Sequence, residues 1–214
     1  MAQAFLVIIG LGLLWIVIYS FLRPPTTPYM IAEGWRQGPV RQTWVPYDQI
    51  APVMVRAVVA AEDANFCLHW GVDMSAIRLA IDEGANRGAS TITQQVVKNA
   101  YLWQGRSYLR KALEALMTPF VELFWTKRRI LEVYLNVAEF DRGVFGVEAA
   151  AQWYFGTTAA KLTPVQAARL AVILPDPKGR SVKRPSTALR KKAAEIVDGA
   201  ETIRRDGRSS CFED

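Results

Sequence analysis

The stretch RGASTITQQVVKNAYLWQGRSYLRKALEALM, residues 87–117, decides how the chain folds. Ser90 to Tyr101 reads as a helix with Ser90 as its N-cap. Ser90, Gln94 and Lys98 fall at i, i+4 and i+8, so they share one face. A solvated polar stripe is the ordinary reading of that face. A ligand-binding face, with Lys98 opposite an anionic group, is the sharper one. Gly88 and Ser90 ahead of a helix start also suit an anion. The stretch is not a phosphate loop, because the G-x-x-x-x-G-K-[ST] pattern is absent. Ser107 caps a second, longer helix over roughly residues 108–136. Pro119 must kink it or split it near Thr118. Glu114 stands four residues after Arg110 and three after Lys111. An i, i+4 ion pair is the ordinary explanation and is worth only about 0.2–0.5 kcal/mol. Phe120, Leu123, Phe124, Ile130, Leu131 and Tyr134 read as core.

Upstream, residues 48–61 (DQIAPVMVRAVVAA) place apolar side chains at helical spacing, with Asp48 as cap and Pro52 in the first turn. Glu62 and Asp63 follow at the C-terminal end. Acids are disfavoured there, because the helix macrodipole is negative at that end. Such a site tends to raise a carboxylate pKa, which suits a general base; a solvated acid pair is the plainer alternative. His69 reads as a supporting hydrogen-bonding residue rather than a catalyst. Residues 74–83 read as a short helix and 84–88 as a loop. Downstream, RGVFGVEAAAQWYFG (142–156) sets glycines around a small-residue helix. Thr163-Pro164-Val165-Gln166 is a capping box with proline at N1. The basic segment from Ser186 onward reads as an amphipathic or frayed helix. Nothing reads as a set of alternating strands, so the class is mainly α.

Residues 4–22, AFLVIIGLGLLWIVIYSFL, hold 19 residues without a charge. A helix of that length spans about 28 Å, close to a bilayer's hydrocarbon core. No basic residue precedes it and no A-x-A site follows, which favours a retained anchor over a cleaved signal. Arg23, Arg36 and Arg41 follow the span, and a local charge count would put the domain in the cytoplasm; large domains cross despite such charge. Residues 23–47 read as an extended linker with room for a short strand at its end, 48–205 as the main domain and 206–214 as a C-terminal tail. Net charge is +6, which invites anionic partners. A single histidine argues against a multi-histidine metal site or a Ser-His-Asp triad. Cys67 and Cys211 are too few for a disulfide framework, and one bridge or two free thiols are both open.

Five segments together resemble one family. EDANFCLHWGVD (62–73) is similar to E-D-x-x-F-x-x-H-x-G-x-D, and GASTITQQVVKN (88–99) to G-x-S-T-[IL]-T-Q-Q-x-x-K-N. RKALE (110–114) resembles R-K-x-x-E, and KRRILEVYLN (127–136) resembles K-x-x-I-L-E-x-Y-L-N. GVFGVEAAAQWYFG (143–156) resembles G-x-x-G-x-x-x-A-A-x-x-Y-F-G. The family is the peptidoglycan glycosyltransferases, which also form the first domain of bifunctional penicillin-binding proteins. The resemblance spans roughly residues 40–200 and leaves no room for a transpeptidase domain, so it points to the monofunctional branch. Cys67 stands where an aromatic is common, and Pro119 where a helix-friendly residue is expected.

The resemblance implies a lysozyme-like helical domain with a small membrane-associated lobe, preceded here by one transmembrane helix. It implies a single-pass protein of the bacterial inner membrane, with its catalytic domain on the periplasmic side, and this outweighs the local charge count. The implied substrate is lipid II, extended into β-1,4-linked glycan with inversion and release of undecaprenyl pyrophosphate. Glu62 matches the family's base and Glu114 its second essential acid. Lys98, Arg106 and Arg110 match the cations that receive the departing pyrophosphate. Ser90, Gln94 and Asn99 match groups that bind phosphate or sugar, with Asp63, Phe66, His69, Thr91 and Lys111 completing the substrate site. No cofactor is required; a divalent cation, Mg or Mn, near the pyrophosphate is compatible with Glu114. Implied partners are lipid II, the growing glycan, the bilayer and other cell-wall synthesis or division proteins, with no nucleic acid. A lysozyme-type hydrolase is the chief rival, but cleaving a glycan needs no clamp for pyrophosphate. A non-catalytic scaffold is the other, and intact Glu62 and Glu114 argue against it.

Overall fold

The computed structural model describes residues 2–82, 84, 90–105 and 107–213; in the first helix the side chains of residues 2, 4–6 and 8–9 are also outside the description. Two positions singled out above, Gly88 and Arg106, lie outside the described residues. The chain is mainly helical, as expected. It begins with α1 (Ala2–Phe21) and α2 (Pro28–Gln37), followed by a short strand, β1 (Arg41–Gln42). Next come α3 (Pro52–Glu62), α4 (Met74–Asp82), α5 (Ile92–Tyr101), α6 (Tyr108–Phe124) and α7 (Lys127–Val137). Then follow β2 (Glu139–Asp141), β3 (Val144–Phe145), α8 (Val147–Phe155), α9 (Pro164–Ala171), α10 (Thr187–Arg205) and α11 (Ser210–Glu213).

Among the described residues no helix is long and apolar enough to cross a membrane. The end of α1 is tied to the domain. Trp125 donates its indole N–H to the Ile16 carbonyl at 2.8 Å, and Arg129 donates to the carbonyls of Tyr19 at 2.9 Å and Leu22 at 2.6 Å. A cation over the last carbonyls of a helix satisfies orphan acceptors and complements the macrodipole.

Residues 23–47 are not a plain extended linker. Thr27 caps α2, whose first residue is Pro28, and Tyr29, Met30 and Glu33 are buried. β1, near the end of the linker where a short strand was expected, pairs in parallel with β3, which pairs antiparallel with β2; β2 and β3 were not expected from the sequence, and the three form one sheet among the described residues. These strands are two or three residues long, too short for alternation to register in the sequence.

Asp48 does not cap α3. It sits in a 3₁₀ turn and pairs with Arg128 at 2.6 Å, while Pro52 starts the helix without a side-chain cap. A proline at N1 brings a preset φ and no N–H to satisfy. The cap of α5 is Thr91, not Ser90: Thr91 and Gln94 form a full capping box. Pro119 stays inside α6, and the break falls later, at Trp125, where Thr126 caps α7. One proline removes one ladder bond; the Trp125 tie to α1 and the Thr126 cap favour the later stop.

The core is one cluster, in which α3 packs on α9 and α10, and α5 packs on α6 and α7. Met54, Val58 and Val59 of α3, Ile92, Val96 and Val97 of α5, and Ile130, Leu131 and Tyr134 of α7 are fully buried. Burying one such aliphatic side chain contributes about 1.5–3 kcal/mol. Leu123 and Phe124, expected in the core, are 58% and 44% exposed. The buried face of α6 carries Glu114, Thr118, Val121 and Glu122, with Leu113, Met117 and Phe120 partly buried against the core, and Leu123 and Phe124 fall on the side turned away from it.

Cys67 and Cys211 are joined in a disulfide across 144 residues. Closing a loop of that length stabilises the fold by about 5 kcal/mol in the chain-entropy picture. Residues 206–213 are packed accordingly: Phe212 is fully buried and Tyr47 donates its hydroxyl to the Phe212 carbonyl at 2.7 Å.

Candidate active site

Glu62 is the last residue of α3, where the helix meets the flank of α5. Its Oε2 accepts from Gln95 Nε2 at 2.8 Å, while its Oε1 is buried without a hydrogen-bond partner. Gln95 in turn accepts from the Tyr134 hydroxyl at 3.0 Å, so α7, α5 and α3 meet in one relay. Burial raises the Glu62 pKa above the usual carboxylate range; the Gln95 bond and the charges of Lys98 and Arg180 oppose the rise, and Asp63 adds to it. The cause is therefore chiefly desolvation rather than the helix dipole inferred from sequence.

Asp63 is a fastening residue. One oxygen accepts from the Ile92 backbone N–H at 3.0 Å and the other bonds His69 Nε2 at 2.8 Å. It thereby pins the end of α3 to the start of α5. Phe66 is fully buried, with the Lys127 ammonium 4.2 Å from its ring centre. Lys127 also reaches the His69 carbonyl and Glu122, both at 2.9 Å. Phe66 and His69 thus support the site from behind. Asp63, His69 and Asp73 hold atoms within 4.8 Å of one another. Their oxygens already serve protein donors: Asp73 accepts from Asn65, Ser75 and Ala76, and these bonds overcome burial and hold it down at about 2. That cluster is structural.

Glu114 lies on α6 and is 3% exposed. Lys111 reaches its Oε2 at 3.0 Å and also donates to Ser90 at 3.2 Å. Arg110 lies against Oε1 as a charge pair without an aligned hydrogen bond. Lys98, on α5, feels both the Arg110 charge and the Glu62 charge, and burial lowers its pKa. The spatial order is Glu62, Lys98, Arg110, Glu114.

These residues line adjoining hollows. One of about 480 Å³ is walled by Glu62, Asp63, Asn65, Ser75, Ser90 and Thr91, among others. The next, about 210 Å³, is walled by Ser90, Gln94, Gln95, Lys98, Arg110, Lys111 and Glu114. Ser90 lines both, so the two hollows adjoin at that residue. A third hollow of about 140 Å³ shares Gln95 and Lys98 and adds Asn99 and Gln104, which hydrogen-bond each other at 3.1 Å. A separate cavity of about 350 Å³ between α9 and α10 is mostly apolar and holds none of these residues.

Sequence reasoning missed Gln95, Tyr134 and Arg180. Gln95 precedes Lys98 by three residues, a spacing that shares its face and could have marked it. Tyr134 was read as core, and its ring is buried; the hydroxyl's role is invisible without the fold. Arg180 comes from a loop far along the chain.

Gly71 fixes the approach of this loop to α6. Its φ is +81°, and a Cβ there would meet Thr118 Cγ2 at 2.4 Å. Its carbonyl accepts from Thr91 Oγ1 at 2.6 Å. Gly71→Ala is expected to cost about 2–4 kcal/mol through backbone strain and overpacking. Thermal melts should show a drop on the order of 5–10 °C; an unchanged melting temperature would contradict the contact.

A mainly helical domain with a desolvated carboxylate at one end of a cation-lined cleft has the parts of a group-transfer enzyme: a base and a sink for a departing anion. The chain belongs to the transglycosylase family, whose model matches residues 30–201. It is similar to the biosynthetic peptidoglycan transglycosylase of Jannaschia sp. (strain CCS1), 60% identical over 206 residues covering 95% of this chain and 86% of that one. It is also similar to the protein of the same description from Caulobacter vibrioides (strain ATCC 19089 / CIP 103742 / CB 15), 44% identical over 211 residues covering 97% and 92% of the two chains.

Proposed function

We propose that the protein is a peptidoglycan glycosyltransferase that polymerises lipid II into β-1,4-linked glycan, with inversion at the donor sugar and release of undecaprenyl pyrophosphate. The observation that carries this reading is the desolvated Glu62 carboxylate beside Lys98, with Arg110 and Glu114 beyond it. Glu62 takes the proton from the acceptor 4-hydroxyl as that oxygen attacks the donor C1. The C1–O bond to pyrophosphate breaks, and Lys98 and Arg110 meet the negative charge that grows on the leaving group. Pyrophosphate leaves readily, so no second carboxyl need protonate it, unlike a glycosidase. Glu114 holds Arg110 and Lys111 in place. Ser90, Gln94 and Asn99 present polar groups to phosphate or sugar. A divalent ion, Mg or Mn, near the pyrophosphate would be held by the Glu114 carboxylate together with phosphate oxygens of the substrate; Arg110 and Lys111 pair with that carboxylate here, and no step described passes through a metal.

α1 is the membrane anchor in this reading. Its 20 residues extend about 30 Å, enough for the hydrocarbon core. Leu11, Leu14 and Phe21 are exposed on it and Leu22 just after it, as are Leu109, Leu116, Leu123 and Phe124 on α6. The catalytic domain lies on the periplasmic side, which agrees with a disulfide, a bond that persists in oxidising compartments.

The test uses the purified full chain in detergent with labelled lipid II. Polymer that a muramidase digests is the expected product. Release of fragments from preformed glycan, with no polymer from lipid II, would favour the hydrolase instead.

A further inference from the structure

We propose that the C-terminal segment, through the Cys67–Cys211 bridge and Arg208, positions the turn that carries Glu62 and so sets the environment of the reacting carboxylate. This rests on the reading of Glu62 as the base.

The argument starts from where the tethers land. α10 ends at Arg205, and Gly207, with φ +78°, turns the chain back toward α3. α11 then packs on α7 and on the 3₁₀ turn Phe66–Leu68 that follows Glu62. Cys211 bonds Cys67 within that turn. Arg208, itself held by Asp206 at 2.8 Å, donates to the Ala64 carbonyl at 3.1 Å. Glu213 pairs with Arg56 on α3. The segment therefore grips the chain on both sides of Glu62: at Arg56 before it, and at Ala64 and Cys67 after it.

A bridge that served stability alone would gain similar loop entropy at many places in a chain this long. This one falls five residues past Glu62, beside a second tether two residues past it. The clamped turn also carries Asp63, which fixes the start of α5 and hence Gln95 and Lys98. Most of the clamp lies beyond residue 201, where the family match ends.

The groups that face Glu62 are Asp63 beside it, Gln95 and Lys98 from α5, Tyr134 from α7 and Arg180 from the loop after α9. Freeing the turn leaves all of them in the chain but admits water to the Glu62 carboxylate. Hydration favours the charged form, so the pKa falls toward the ordinary range. The acid limb of the rate profile then moves to lower pH. A misplaced base also slows the step; displacements near 1 Å can cost about 10²-fold.

The test compares the full chain, oxidised and after mild reduction with a phosphine, with the Cys67→Ala/Cys211→Ala double variant and with Arg208→Ala. Lipid II polymerisation is measured as kcat, KM and the kcat–pH profile, alongside thermal melts. For the reduced protein and the double variant, kcat is expected to fall about tenfold with KM within twofold, and the acid limb to move to lower pH. Arg208→Ala, which keeps the bridge, should move the limb in the same direction by less. A lower melting temperature with kcat and acid limb unchanged overturns the proposal and leaves a purely stabilising bridge. If the double variant does not fold, an unmoved profile in Arg208→Ala overturns it equally. Glu62→Gln separates the two readings: if that variant still polymerises, the base assignment fails whatever the clamp does.

Discussion

Glu62→Gln should lower kcat for lipid II polymerisation by about 10²–10⁴-fold, with KM changed little. The substitution keeps the side chain's size and leaves an oxygen to accept from Gln95, so the cleft keeps its shape. What it removes is the capacity to take a proton. The pH profile sharpens the test. Burial raises the Glu62 pKa, so the wild-type rate should climb with pH through a limb above the usual carboxylate range and flatten once the group is ionised. The variant has no such group, and its residual rate should lack that limb. Substantial polymerisation by Glu62→Gln, with the limb intact, would move the base to another residue. Asp63 is a weak substitute, because both its oxygens are bound to the ends of other elements.

The sequence was most legible where chemistry and local structure coincide. Spacing groups Ser90, Gln94 and Lys98 on one helix and Arg110, Lys111 and Glu114 on the next, the family resemblance joins Glu62 to them, and adjoining hollows are lined by all of these. The legible part ends where a residue's task depends on a distant partner. Tyr134 reads as an aromatic core residue until its hydroxyl is seen against Gln95. Gln94 reads as a polar stripe residue, yet its carbonyl oxygen is used in the α5 capping box with Thr91. Leu123 and Phe124 follow core periodicity but lie outside, on the side of α6 turned away from the core. α2 was hidden by the prolines around it, one of which starts the helix. The disulfide joins residues 144 apart, a pairing that spacing cannot reveal.

Lys98→Met should lower kcat by about 10²–10³-fold, the usual scale for losing one preorganised charge aimed at a developing anion. Among the described residues Lys98 makes no ion pair and no side-chain hydrogen bond, although it lines the cleft between the two acids. Burial and the Arg110 charge push its pKa down, and Glu62 opposes that. A cation held at such a cost, with no partner of its own, has an external anion as its natural partner. Methionine keeps the length of the stem and removes only the ammonium. The same change removes a positive charge that favours ionised Glu62. The acid limb should therefore move to higher pH, opposite to its movement when the C-terminal clamp is released. That opposition makes the pair of experiments informative together, since a general loosening of the cleft would send both limbs the same way. If Lys98→Met instead raises KM and leaves kcat intact, the ammonium binds the donor's pyrophosphate equally before and during bond breaking. Arg110, paired with Glu114 one turn along α6 and lining the same hollow, would then be the cation left to answer the charge of the transition state.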